Sequence, residues 1–450
     1  VAGDALTTAT ESVALGSNSL GANTEGTANT ALGAYALRND TLGSRSVAVG
    51  HQALNAQNFT TATSAYNVAV GANAGVAVTT GIQNTIVGGL AGDAITTANK
   101  TTLFGYNTGT GITTGTDNTF MGADVGVNVT TGKNNILVGG SVVGVAGGTG
   151  EALTTGHSNV AMGSGALKLE DTGRKSVAIG YLALATQNAD VDNLNTAVGF
   201  EAGKAVTTGT VNTLIGALAG DAITTGSYNT FVGHNAGTAT TDAEVNVAVG
   251  NSALQTNTTG QQNTALGTNS LYAATTASNN TAVGHNSLDA NTTGTSNTAV
   301  GQNSLGANTT GDFNVGIGQL ALDANTTADS NTALGYAALT TSTTGAGNTA
   351  IGRDALAANT TGQLNVAVGF NSLESNTTGE DNTAVGTGAL VANTTGGANV
   401  AVGHDALAAN TTAGSNTALG REAMKTNTTG ASNVAVGKRA LYLNTTAAEN

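Results

Sequence analysis

The chain has 450 residues, of which only 9% are charged, and a formal net charge of −14. This acidic balance, without a basic stripe or an aromatic platform, argues against a nucleic-acid partner. No segment approaches the roughly 18 apolar residues of a membrane helix, so membrane insertion is not expected, and a chain without cysteine depends on no disulfide.

Glycine returns at a fixed interval along the whole chain. The series runs from Gly16 to Gly437 in 25 copies, and the interval is 17 residues in all but three places. Numbered from its asparagine, the unit has the consensus N-T-A-V-G-x-x-A-L-x-x-N-T-T-G-x-x, whose places are called positions 1 to 17 here. One short unit repeated end to end predicts a solenoid or fibre, and not a globular enzyme.

Three longer intervals interrupt the repeat. Extra residues fall near 57–64, 144–150 and 190–192. We expect them to bulge from a corner as loops and to be the best local candidates for specific contacts. The rest is uniform, so residues 1–450 are predicted to form one continuous array of about 25 coils, a fragment of a longer chain.

The composition of the unit favours strands. Asn, Thr, Val and Gly are poor helix formers, while Thr and Val suit strands. Residues 246–249 and 257–259 are predicted strands, separated by polar corners at positions 6–7, 10–11 and 16–17. Glycine before the first and third corners supplies dihedrals that other residues resist, and the turn glycines include Gly250, Gly267, Gly284 and Gly301. The predicted fold is an all-β, parallel β-solenoid (β-roll) forming an elongated fibre, with coils about 4.8 Å apart.

Apolar residues at positions 4 and 9 are the predicted core, which includes Val249, Leu254, Leu288, Leu305, Leu356 and Leu390. Where position 9 is glycine, position 3 of the next unit becomes large, as for Gly75 with Ile86, Gly92 with Leu103 and Gly109 with Phe120. Gly237, followed by Ala248, leaves the space unfilled. Restoring lost volume on the next coil is what close packing requires, so the pattern predicts coils stacked in register and argues against disorder.

Asparagine recurs at two positions of the unit. Position 1 is predicted to form an amide ladder along the axis, with Asn246, Asn263, Asn280, Asn297, Asn331 and Asn348 among its members. Ligand binding by this polar row is the alternative. Position 12 begins glycosylation sequons at Asn257, Asn291, Asn308, Asn359, Asn376 and Asn427. A packed, hydrogen-bonded side chain is the competing interpretation there.

Two segments carry a resemblance to a known family. They are Ser176-Val177-Ala178-Ile179-Gly180 and Asn195-Thr196-Ala197-Val198-Gly199, which resemble the head repeats of YadA-like trimeric autotransporter adhesins. The longer unit is similar to repeat arrays of phage tail fibres and bacterial surface fibres. The resemblance implies left-handed β-rolls in homotrimers, although the adhesin head unit is shorter. A single coil is also thin, and burying its Ala and Leu faces against other chains would add to its core.

No catalytic, cofactor-binding or metal-binding group can be assembled from the sequence. Four histidines, at His51, His234, His285 and His404, all fall at position 6 and are at least three coils apart. Corner aromatic residues are left open as receptor contacts, among them Tyr181, Phe200, Phe313, Tyr336 and Phe370.

The expected function is that of a non-enzymatic, extracellular fibre shaft, at a cell surface or on a virion. It would serve as an adhesin stalk or tail-fibre shaft that mediates attachment. The alternative is a self-assembling surface or matrix filament with end-to-end contacts. An ice-binding solenoid that uses stacked Thr258, Thr292 and Thr309 is less favoured. A cell-surface or glycan receptor is left open as a partner.

Overall fold

The chain folds as a parallel β-solenoid of about 25 coils, described by a computed structural model at residues 1–140 and 147–449. It divides into two compact units, Val1–Tyr228 and Asn229–Asn450. Among the described residues neither unit contains a helix. The strands of the first unit are β1 (Val13–Leu15), β2 (Thr30–Leu32), β3 (Gly43–Ser44), β4 (Val47–Val49), β5 (Thr63–Ser64), β6 (Val68–Val70), β7 (Thr85–Val87), β8 (Thr102–Phe104), β9 (Thr119–Met121), β10 (Ile136–Val138), β11 (Val160–Met162), β12 (Val177–Ile179), β13 (Thr196–Val198) and β14 (Thr213–Ile215). Those of the second are β15 (Thr230–Val232), β16 (Val247–Val249), β17 (Thr264–Leu266), β18 (Thr281–Val283), β19 (Thr298–Val300), β20 (Val315–Ile317), β21 (Thr332–Leu334), β22 (Thr349–Ile351), β23 (Val366–Val368), β24 (Thr383–Val385), β25 (Val400–Val402), β26 (Thr417–Leu419) and β27 (Val434–Val436).

Each three-residue strand pairs in parallel with the strand of the next coil. In the first unit the ladder runs through β1, β2, β4 and β6 to β14. In the second unit it runs from β15 to β27. The short β3 and β5 form a separate pair. Position 3 always faces position 3, as Ala282 faces Ala299, which confirms the predicted coil and its stacking in register.

The regular coils are extended only at positions 2 to 4, so the predicted strand at 257–259 is wrong. There the backbone N–H groups of Thr258 and Thr259 both donate to the carbonyl oxygen of Thr275, at 2.8 and 3.3 Å. Successive N–H groups of an extended strand point to opposite sides and cannot share one acceptor. The chain therefore bends at this place, although it still bonds to the next coil.

The position 5 glycines have the backbone that the sequence predicts. The φ angles of Gly250, Gly267, Gly284 and Gly301 lie between +132° and +139°. A Cβ on Gly284 would lie 2.6 Å from the carbonyl oxygen of Gly301 on the next coil. Other residues are thus excluded both by the dihedral and by the close approach of two backbones.

The prediction is wrong for glycine before the third corner. Gly294, at position 15, has no positive φ, and alanine stands at the same position as Ala277 and Ala328. Left-handed backbone occurs instead at positions 7, 9 and 17, as at Asn286 (φ 52°) and Leu288 (φ 51°). A leucine in this region carries backbone strain that the packing around it must offset.

The core lies at positions 1, 3, 8, 9, 12 and 15. Apart from Leu441 in the last coil, which is 37% exposed, the leucines at position 9 have no exposed surface, and these include Leu254, Leu288, Leu305, Leu356 and Leu390. Val249 does not belong to this core. It lies at position 4, half-buried on the outer side of β16, because neighbouring strand residues point to opposite faces and Ala248 points inward.

Volume is shared between position 9 and position 3 of the next coil. A Cβ on Gly92 would lie 2.7 Å from Leu103 Cδ1, and one on Gly75 would lie 2.9 Å from Ile86 Cδ1. At Gly109 the atoms nearest to the Cβ position belong to Ile112 and Leu103 of the same coil, and the Phe120 ring lies 2.6 Å from the Cβ position of Gly126 on its own coil.

The sequence predicts that the space at Gly237 is unfilled, and this prediction is wrong. The ring of Phe231, on the same coil, occupies it. A phenylalanine ring is long enough to reach across its own coil. Leu103 lies between two glycines, 2.7 Å from the Cβ position of Gly92 on the preceding coil and 3.0 Å from that of Gly109 on its own coil.

Candidate functional site

The asparagines at position 1 form a buried ladder. The backbone N–H of Asn263 donates to Asn246 Oδ1 at 3.0 Å, while Asn263 Nδ2 donates to the Ala277 carbonyl at 2.8 Å. The same two bonds recur through the predicted set, at Asn280, Asn297, Asn331 and Asn348. These side chains are at most 1% exposed, so they close the coil and offer no surface to a ligand.

Position 12 carries a second amide ladder that sequence reasoning did not predict. Asn308 Nδ2 donates to Asn291 Oδ1 at 2.9 Å and to the Gly311 carbonyl at 3.1 Å. All six asparagines named as sequons are fully buried. Glycosylation needs an accessible acceptor, so the structure supports the packed interpretation. The recurrence of asparagine at position 12 in successive coils was the sequence signal that could have predicted this second ladder.

At two pairs of successive coils in the first unit, position 12 carries a buried carboxylate and a glutamine in place of asparagine. Gln57 Nε2 donates to Asp40 Oδ2 at 2.7 Å and to Ser46 Oγ at 3.1 Å, and Gln57 Oε1 accepts from Asn67 Nδ2. The same pattern of hydrogen bonds is repeated among Glu170, Gln187, Ser176 and Asn195. In both places serine stands at position 1, and the longer glutamine reaches across to it.

Asp40 and Glu170 are the fully buried carboxyl groups among the described residues. Burial raises the pKa of both above the ordinary value, although hydrogen bonds from Gln57 and Gln187 act in the opposite direction. All their partners are amide or backbone donors, such as Gly43 N–H and Gly173 N–H. Because these carboxyl groups are closed inside the coil, they cannot contact a substrate.

The outer sheet face, formed by positions 2 and 4, is a largely apolar surface that runs along each unit. Position 4 is Val, Ile, Leu, Met or Phe in all 25 coils, and position 2 is Thr, Val or Ile. The exposed members at position 4 include Leu266 (46%), Leu334 (44%) and Leu419 (47%). No charged side chain interrupts the face, and an apolar surface of this kind marks an interaction site.

The Ala and Leu faces that were expected to be buried between chains are already buried within one chain. Ala282, Ala299 and Leu288 have no exposed surface. Positions 3 and 9 point into the coil, and the corners close over them. Any contact between chains therefore has to use the outer sheet face or the corners.

The first corner holds the four predicted histidines and several exposed rings. Tyr181 and Phe200 stack at 5.4 Å between ring centroids, and the Arg353 guanidinium lies 4.9 Å from the Phe370 ring centroid. Across residues 1–140 and 147–449 no group of three His, Cys, Asp or Glu side chains could hold a metal ion.

The threonine row is only partly available to solvent. The hydroxyls of Thr258, Thr292 and Thr309 donate to the backbone carbonyl oxygens of the next coil, at 2.9, 3.0 and 3.0 Å. Their hydrogens are therefore not free to bind ordered water. This weakens the ice-binding alternative.

Two of the three inserts pack onto the coil before them. In the first, Gln57 and Phe59 are buried, and Thr63–Ser64 pairs with Gly43–Ser44. In the third, Lys175 Nζ donates to Asp192 at 2.6 Å. The insert near 144–150 lies partly outside the described residues. The role of the inserts in recognition remains a prediction.

No protein-family model matches this chain, and neither does any curated protein sequence. Within the part of the chain that the structure describes, no helix has the length and apolarity needed to cross a bilayer.

Proposed function

We propose that this chain is a non-enzymatic, extracellular fibre shaft, an adhesin stalk or tail-fibre shaft, whose copies associate through the outer sheet face. The observation that carries the proposal is the apolar side chain at position 4 of every coil, which is exposed or half-buried on a face without charge. A solitary soluble chain has no use for such a surface, whereas a fibre of several chains would bury it.

The size of the face fits an interface. In the second unit thirteen coils, spaced about 4.8 Å apart, give a face about 60 Å long. With a width of about 10 Å this is about 600 Å² for each chain, close to the roughly 800 Å² per partner of a standard interface. The preference for three chains follows from the resemblance to trimeric adhesin heads.

Native mass spectrometry tests the association. A mass of three times 43.5 kDa is expected. The variant Ile317→Glu with Leu334→Glu places two charges on the outer sheet face and should give monomers that keep their β-sheet circular dichroism, since unpaired charges resist burial.

The matched control is Gln302→Glu with Gln319→Glu, which adds the same charge at exposed corners. It should leave the mass of the assembly unchanged. A wild-type monomer at micromolar concentration would contradict the proposal. Masses that grow without limit with concentration would instead favour the surface or matrix filament.

A further inference from the structure

The first corner is chemically distinct from the rest of this acidic surface. The chain has 27 acidic residues, yet none stands at position 6 in any of the 25 coils. Four of the 5 histidines are found there. In the second unit, six successive coils carry what we call the first-corner row: Tyr336, Arg353, Phe370, Thr387, His404 and Arg421.

The row is accessible along its length. Because the strands are stacked in register, its side chains follow one another at about 4.8 Å. Tyr336 is 49% exposed and Phe370 is 43% exposed, while the Arg353 side chain between them is 63% exposed. Arg353 packs on one face of the Phe370 ring, and 43% of Phe370 stays exposed. Tyr336 and Phe370 thus present two exposed rings, two coils apart, on either side of the Arg353 guanidinium.

Arg353, His404 and Arg421 each lie beside an acidic side chain at position 7. Arg353 Nε donates to Asp354 at 2.9 Å, His404 Nδ1 lies 3.3 Å from Asp405, and Arg421 lies 3.4 Å from Glu422. A polyanion would gain little from cations that are already paired. Adjacent donors and acceptors suit a ligand whose groups both donate and accept, as hydroxyls do.

We propose that the first-corner row binds a linear polysaccharide lying along the solenoid axis. The exposed parts of the Tyr336 and Phe370 rings would pack against the C–H surfaces of sugar rings, and the Arg353–Asp354 pair would bond to sugar hydroxyls. Arg421 would act as a donor alone, because its partner Glu422 is only 7% exposed and also binds Arg439. A sugar unit is comparable in length to the step between coils, about 4.8 Å, so one chain can meet several coils at once. This inference rests on the proposed role in surface attachment and names the class of receptor.

Affinity electrophoresis tests the proposal. The wild-type protein is run in native gels cast with one of three neutral polysaccharides, a soluble β-glucan, a soluble α-glucan or a soluble galactomannan, and the retardation is measured against polysaccharide concentration. At least one of these gels should retard it. Tyr336→Ala with Phe370→Ala should raise the apparent Kd by about tenfold or more, since two aromatic contacts are lost.

The control removes two exposed rings elsewhere in the same unit, Tyr272→Ala with Phe313→Ala, which are 39% and 62% exposed. It should stay within about twofold of wild type. No retardation by any of the three polysaccharides, equal losses in the two double variants, or binding of single-stranded DNA alone would each overturn the proposal.

Native mass spectrometry of the same samples separates the two proposals. An intact assembly without retardation overturns the polysaccharide row and leaves the fibre shaft standing. A monomeric wild-type protein overturns the association of chains, whatever the gels show.

Discussion

The two units build the same coil from different residues. In the second unit position 9 is mostly leucine and position 3 mostly alanine, as in Leu288 and Ala299. In the first unit several coils reverse the assignment, as in Gly92 and Leu103. The interior is full in both cases. The fold therefore requires that side chains fill the space inside the coil, and the large side chain can stand either in the turn at position 9 or in the strand at position 3.

The turn glycine should be indispensable to both units, and it gives the largest expected effect. Gly105→Ala in the first unit and Gly284→Ala in the second place a Cβ against the backbone of the next coil at φ +146° and +137°. Each should lower the free energy of unfolding by at least about 3 kcal/mol. Thermal and urea unfolding followed by circular dichroism measure this.

The control is Gly89→Ala at position 6, where Ala72 and Ala217 stand in other coils and where a Cβ would meet no atom closer than 3.8 Å. It should change stability by less than about 1 kcal/mol. If Gly284→Ala proved as mild as this control, the close approach of neighbouring backbones would not determine the turn.

The exchange of volume can be tested by converting one arrangement into the other. Leu288→Gly should cost about 2 to 5 kcal/mol by opening a cavity, and Ala299→Leu about 1 to 3 kcal/mol by overpacking. Together they reproduce the pairing of Gly92 with Leu103, so the double variant should recover at least about 1 kcal/mol of the summed loss. Strictly additive losses in a double-mutant cycle would show that the two units do not share one packing rule.

The carboxylate networks of the first unit predict a pH dependence. Burial raises the folded-state pKa of Asp40 and Glu170. Stability from this source is complete below the unfolded pKa and is lost as pH rises through the folded pKa, by about 1.4 kcal/mol for each unit of difference. The melting temperature should therefore contain a component that falls from about pH 4 upward.

Asp40→Asn with Glu170→Gln removes the titrating groups and should flatten that component. Differential scanning calorimetry between acid and neutral pH measures it. An unchanged slope in the double variant would show that the two networks remain uncharged or fully compensated at neutral pH.

The repeat predicted the coil, its register, the turn glycine and the buried leucines, because spacing and side-chain volume are written directly in the sequence. It did not predict that Leu288 adopts a left-handed backbone, since no residue type at that place marks it. A clue was present in coils where glycine replaces the leucine, as at Gly92, but the replacement was interpreted as a change of volume alone. Val249 was wrongly assigned to the core because a three-residue strand is too short to show the alternation of buried and exposed side chains.

The candidate surfaces were harder to predict than the interior. Apolar residues at position 4 look like core residues in the sequence, and only the course of the chain shows that they face outward. Asparagine at position 12 looks like a glycosylation site until the neighbouring coil supplies its hydrogen-bond partner. Both features depend on how the chain folds into coils, and for asparagine the partner lies 17 residues away in the sequence.

The amide ladder at position 1 has a direction. The backbone N–H of Asn263 is satisfied by the side chain of Asn246, and that of Asn280 by Asn263. Each coil thus finds an acceptor in the coil synthesised before it. A nascent chain can therefore complete one coil at a time as it emerges, with the finished coils serving as the template for the next. Folding would then keep pace with synthesis, without waiting for the whole chain.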